Sequence, residues 1–425
     1  MTDNPVRKTV LGNGVRIISR KIPHVRSVSM GIWVNVGARD EQASENGLSH
    51  FIEHMLFKGT HTRSAYQIAK EFDAIGGHTN AFTSPEYTCY HARALDTHLE
   101  SMAGLLCDIL MNSEFSAHEI ENERPVILSE VSMLEDSPEE YVHSLLEENY
   151  WEGHALGHSI LGSPESINSF CSESVKAFFS KYYQPDRIII SVAGNVDHDR
   201  FLDLVAPAFE SLVPQDSFPK RTQPVPNIHT RLYAKDLEQV HLCLGTKGLS
   251  LKDPSRFSCS LLNTLLGGNM SSRLFQEIRE KRGLAYSIYS FSSLNIDTGL
   301  FGIYTGVAPE KVIQSLSLIL EELDKFCCAI ISESELSDAK EYTKGNILLS
   351  AESTESQMVR MAQNEIHFGR FIPVTETIEK IQAVTVDDIL SLARHFFKSQ
   401  RPSLTLLGPF DKKSELNDLL DGFYK

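Results

Sequence analysis

Cysteine is sparse and unpatterned. The seven residues at 89, 107, 171, 243, 259, 327 and 328 include no C-x-x-C pair, which argues against a disulfide framework and a thiolate zinc site. They read as small buried apolar residues in a reducing compartment. Basic residues are also in short supply, 40 Lys+Arg against 56 Asp+Glu. The formal charge of −16 disfavours a surface built to neutralise nucleic-acid phosphates or anionic lipid. No apolar run approaches the ~20 residues of a membrane span. The first eight residues, Met1 to Lys8, have neither the apolar core of a secretory leader nor the Arg-rich, acid-free character of a transit peptide. A cytoplasmic chain with no nucleic-acid and no membrane partner is expected.

What is present suits large cores. Hydrophobic residues make up 41 % and charged residues 23 % of the 425, and at roughly 100–200 residues per domain the length asks for two domains or three. Apolar alternation predicts strands over 9–22, broken at Gly12-Asn13-Gly14, and over 28–36. Helical periodicity follows over 46–75, then a strand pair at 78–84 and 87–95. Helices are expected over 96–112, 116–135, 138–151, 172–182 and 198–211, with a buried strand at 187–194. Four prolines (214, 219, 224, 226) mark 214–230 as a linker. The second half repeats the order: a strand at 240–245, helices over 254–266 and 272–281, strands at 284–293 and 299–307, and five more helices before a last strand and helix. Two similar α/β halves related by duplication are expected, residues 1–213 and 231–425.

The segment Gly47-Leu-Ser-His50-Phe-Ile-Glu53-His54 carries the most information. On a helix, His50 and His54 share a face and can meet one ion, with Glu53 beside them. That arrangement suits Zn²⁺ on two imidazoles with a carboxylate acting on water. Chance supplies such a His-x-x-acid-His string only about 0.1 times in a chain of this composition. A tetrahedral catalytic zinc needs one further protein ligand. The helix from Ser116 to Glu135 offers Glu121, Glu123 and Glu130. Glu123 and Glu130 are two turns apart and point the same way, and periodicity does not choose between them. Ser116-x-x-Glu119 reads as a capping box, and Pro125 predicts a kink. Two other motifs are set aside: Gly267-Gly268-Asn269 lacks the Gly-Lys-Ser/Thr of a phosphate loop, and His154 with His158 lies in a Gly-rich loop without a shared helical face.

The string His50-x-x-Glu53-His54 ahead of an acidic helix resembles the inverzincins, the pitrilysin/insulinase family of zinc metallopeptidases, in its two-domain branch that includes mitochondrial processing peptidase. The resemblance runs along the whole chain through Val36-Gly-Ala-Arg-Asp-Glu41, Gly76-Gly-His-Thr-Asn80-Ala-Phe-Thr83, Leu161-Gly-Ser-Pro-Glu165 and Gly267-Gly-Asn-Met-Ser-Ser-Arg273. It implies an α+β fold of two sandwich halves, each a mostly antiparallel sheet packed with helices. It implies one zinc per chain on His50, His54 and Glu130, with Glu123 in support. Glu53 is then the catalytic base on the water, and the reaction is endopeptidase cleavage of extended peptides or presequences enclosed in a chamber.

By the same resemblance, Asn80, Ala81 and Phe82 form an edge strand that takes the substrate as an added strand. Arg279 and Tyr286 reach the substrate from the second half, Tyr286 donating to the oxyanion. Because the chain holds both sets, a homodimer is expected, with a heterodimer of homologous chains as the other arrangement. The competing class is a non-catalytic partner or scaffold subunit, but such members lose part of the zinc set. From Glu114 to Glu152 twelve acids face one base, Arg124. Such a run is ordinarily a solvated face, and its second reading is a negative potential that favours basic peptides.

Overall fold

In the computed structural model, which describes residues 5–214, 218–328 and 331–423, the chain forms two compact units. Residues 1–4 and residues 215–217 of the expected linker lie outside the described residues. Unit 1 comprises Met1–Ser132, His158–Thr222 and Leu349–Ile372; unit 2 comprises Met133–Gly157, Gln223–Leu348 and Pro373–Lys425.

Unit 1 is built on six strands: β1 (Arg7–Val10), β2 (Arg16–Lys21), β3 (Ser27–Val34), β4 (His78–Thr83), β5 (Thr88–Leu95) and β6 (Ile188–Gly194). Their order across the sheet is β1-β2-β6-β3-β5-β4, antiparallel except for the β2–β6 pair. Unit 2 holds β7 (Thr230–Tyr233), β8 (Val240–Lys247), β9 (Ala285–Leu294), β10 (Gly299–Val307) and β11 (Ser403–Leu407), in the order β7-β11-β8-β10-β9. Only β7–β11 is parallel there. From β2 and from β7 onward the two sheets therefore repeat one topology, as duplication requires. The fold is α+β.

The central strands β3 and β6 are buried on both faces, so each sheet needs a cover on either side. On one face of the first sheet, Met30, Ile32 and Ile190 pack with Phe51, Ile52, Met102 and Leu106 of nearby helices. On the other, Trp33, Ile18 and Ile189 pack with Met358, Met361 and Ala362 of the helix Thr354–Phe368, which comes from late in the chain. Gly31 lets that helix approach: a Cβ there would lie 2.6 Å from Met358 Sδ. The second sheet is covered reciprocally by the early helix Pro138–Tyr150, through Val142, Leu145 and Leu146 against Cys243, Leu300 and Tyr304. The compact units thus differ from two contiguous halves by the exchange of these two helical segments. The element β7 also begins inside the stretch expected to be linker.

Two expectations at residue level change. Five cysteines are buried, but Cys171 and Cys328 are exposed, and all seven are free. The expected helix over 272–281 is a π-helical turn, Phe275–Glu280. No helix among the described residues is long and apolar enough to cross a membrane.

Candidate metal centre

The helix Leu48–Met55 buries Leu48, Phe51, Ile52 and Met55 in the core of unit 1. Leucine and phenylalanine at this spacing seat one face, and His50, Glu53 and His54 are left at its margin. Its N-terminus is Gly47, at φ +93° in the left-handed region, where a Cβ would meet Gly162 at 2.7 Å. Only glycine fits both demands.

Since Gly47 has no capping side chain, Glu41 of the preceding loop serves instead, its two oxygens accepting from Gly47 N–H at 2.8 Å and Ser49 N–H at 2.7 Å. These satisfy donors that the helix itself leaves open. Burial pushes the Glu41 carboxyl up to about 7, against the pull of those N–H donors.

The Glu41 loop is itself clamped. Asp40 takes two hydrogen bonds from Arg221, at 2.7 and 3.0 Å, and Arg39 pairs with Glu86 at 2.6 Å while donating to the Thr222 carbonyl. The described part of the linker thereby holds the loop that caps the helix.

The helix Ala117–Glu135 supplies the facing carboxylates. At its start Ser116 Oγ accepts from Glu119 N–H at 3.2 Å. Arg124, beside the interior Pro125, donates to the carbonyls of Ile167 and Phe170, which fastens the helix to the end of the short helix Pro164–Ser169.

His50, His54 and Glu130 each offer a ligand atom, and these lie within 4.8 Å of one another. Both Nε2 atoms are 3.5 Å from the same oxygen, Glu130 Oε2. Bonds of ~2.0–2.1 Å to a tetrahedral zinc place neighbouring ligand atoms about 3.3–3.4 Å apart, so the spacing fits the ion. The protonation pattern fits as well. Glu123, an acceptor, takes a hydrogen bond from His54 Nδ1 at 2.8 Å, so neutral His54 presents an Nε2 lone pair towards Glu130. Burial, and then the neighbouring His54, push His50 down to about 3. His50 Nε2 and His54 Nε2 thus face the same carboxylate oxygen, the side on which one cation would meet all three.

Glu123 is buried and accepts from Lys58 as well as from His54. Burial alone would raise its carboxyl, but the His54 and Lys58 hydrogen bonds outweigh it and hold the group below the usual range. Burial likewise works to lower His54, and the bond to Glu123 and the charges of Glu130, Glu123 and Glu53 more than reverse it. Glu53 is pushed up by burial, opposed by a 2.6 Å hydrogen bond from Thr83 Oγ1 to Glu53 Oε2.

This chain matches the sequence model described as insulinase (peptidase family M16) over residues 16–164, and the one described as peptidase M16 inactive domain over 169–342. An uncharacterized zinc protease of Streptomyces coelicolor is 40 % identical over 97 % of this chain and 92 % of its own length. One of Bacillus subtilis is 41 % identical over 95 % and 98 %. The chain belongs to the insulinase family. Among solved structures, a protease from Helicobacter pylori superposes with a TM-score of 0.89 at 23 % identity, covering 96 % of this chain and all of that one. That likeness concerns the fold. In this family member the five residues His50, Glu53, His54, Glu123 and Glu130 are brought together within unit 1.

The other site candidates are placed as follows. Asn80, Ala81 and Phe82 lie on β4, an edge of the first sheet. Phe82 turns away from the helix face to pack on Trp33 at 5.6 Å, and the Ala81 N–H is taken by Asn80 Oδ1 at 2.9 Å. Arg279 and Tyr286 belong to unit 2, where the guanidinium lies 4.9 Å from the ring of Tyr286, itself 78 % exposed. Sequence reasoning missed Lys58, Thr83 and Glu41. Each stands inside a quoted family motif or directly after the metal helix, but Thr83 and Lys58 gain their roles from contacts to other segments, and Glu41 from backbone donors six and eight residues ahead.

Proposed function

We propose that this protein is a zinc-dependent endopeptidase acting on extended peptides, with one zinc per chain held by His50, His54 and Glu130. The observation that carries this reading is the convergence of those three ligand atoms, with the carboxylate of Glu53 on the helix that bears His50 and His54. The zinc-protease names of its relatives support it. When bound, zinc supplies Lewis acidity, polarising the peptide carbonyl and lowering the pKa of a water. Glu53 takes a proton from the attacking water and returns it to the departing amine as the C–N bond breaks. Glu123 holds the His54 ring in one orientation. The edge strand β4 binds the peptide backbone as an added strand, at Asn80, Ala81 and Phe82. Tyr286 donates to the oxygen on which charge develops, and Arg279 steadies the Tyr286 ring from its face.

Each chain carries both residue sets, so a homodimer needs no foreign partner; light scattering of the active protein is expected to return twice the chain mass, and an active monomer counts against it. For the activity itself, the full chain is loaded with zinc and incubated with a mixed peptide library, with and without chelator, and cuts are mapped by mass spectrometry. Internal cuts that vanish with chelator and return with zinc are expected; a peptide pool left intact by the zinc-loaded protein contradicts the reading.

A further inference from the structure

The edge strand β4 ends at Thr83, which pairs with Thr88 of β5. Strand alternation places Thr83 on the same face as Ala81, which packs against the core that includes Phe51 and Ile52 of the metal helix. Phe82 and its alternates point to the opposite face, where Trp33 lies. The register therefore commits the Thr83 hydroxyl to the helix side. There Oγ1 donates to Glu53 Oε2 at 2.6 Å, a short bond of the kind a hydroxyl makes to an ionised carboxylate. Among the described residues it is the one side-chain donor to Glu53. β-Branching makes a threonine stiff about χ1, so the donor is fixed by the sheet.

We propose that Thr83 is a positioning residue for the general base. It pins Oε2 so that the other carboxylate oxygen of Glu53 is left to handle the proton. A threonine methyl that merely fills space would leave the hydroxyl without a charged partner, whereas here the hydroxyl makes the contact. The inference rests on the peptidase reading for its consequence and on the hydrogen bond alone for its geometry.

The test compares Thr83→Val and Thr83→Ser in the full zinc-loaded chain. For Thr83→Val, kcat is expected to fall about tenfold to a hundredfold with KM and bound zinc unchanged, and Thr83→Ser to regain most of the loss. Crystal structures of the wild type and Thr83→Val supply a readout independent of turnover: the Glu53 carboxylate is expected to leave its wild-type position in the variant. Overturning results are a wild-type kcat in Thr83→Val, a loss carried by KM, an equal loss in Thr83→Ser, or a Glu53 carboxylate that stays in place. If the wild type itself cuts no peptide, the peptidase reading fails and the crystallographic comparison alone decides the role of Thr83.

Discussion

His54 Nδ1 donates to Glu123 Oε1 at 2.8 Å, and that bond determines which nitrogen of the ring faces Glu130. Glu123→Gln keeps an oxygen but loses the charge that orients the ring and makes it basic. Zinc affinity is expected to drop about 10–100-fold, measured by chelator competition, with the far-ultraviolet circular dichroism unchanged. Wild-type affinity in this variant would show that the ring is held by packing alone.

Glu41 gives a pH-dependent prediction. Its carboxyl is raised from 4.5 to about 7 in the fold, so between those values the folded chain binds more of this proton than the unfolded chain does. The stability it contributes is complete below about 4.5 and is lost as the pH rises through about 7. In metal-free protein, the Tm of the wild type relative to Glu41→Gln is expected to decline across that window. A relative Tm that climbs with pH contradicts the assignment.

Arg221 and Asp40 form a pair with little exposure, 17 % and 3 % at the side chains. Arg221→Ala leaves Asp40 buried without this partner and unclamps the loop that caps the metal helix. A loss of about 3 kcal/mol is expected from the removal of one member of such a pair, read as an earlier urea transition of the zinc-free chain. An unchanged midpoint would mean that the linker merely rests on unit 1.

Tyr286 is 78 % exposed, so its hydroxyl has little to do for the fold. Tyr286→Phe is expected to leave Tm unchanged and to lower kcat by about tenfold or more, as removal of an oxyanion donor does. Peptide kinetics decide it, and unaltered kcat withdraws Tyr286 from the proposed mechanism.

Much of this was legible in the chain because it is local. His50, Glu53 and His54 share one helical turn, and Glu123 and Glu130 lie two turns apart on another, so periodicity alone grouped each set. The family resemblance was needed to prefer Glu130, because no local rule separates two carboxylates on one face. The exchange of the helices Pro138–Tyr150 and Thr354–Phe368 was illegible for a related reason. An amphipathic helix announces that it will be buried, but Met358 bears no sign that it belongs over Trp33, more than three hundred residues earlier. Thr83 and Lys58 act through single contacts to groups from other segments, and Glu41 through two bonds to backbone donors six and eight residues ahead, and such contacts carry no period.

Glu53→Gln separates metal binding from peptide cleavage, because it alters the base and leaves all three ligand side chains in place. The variant is expected to bind one zinc per chain with wild-type affinity and to cut none of the peptides that the wild type cuts. A variant that binds zinc and cleaves at the wild-type rate would contradict it.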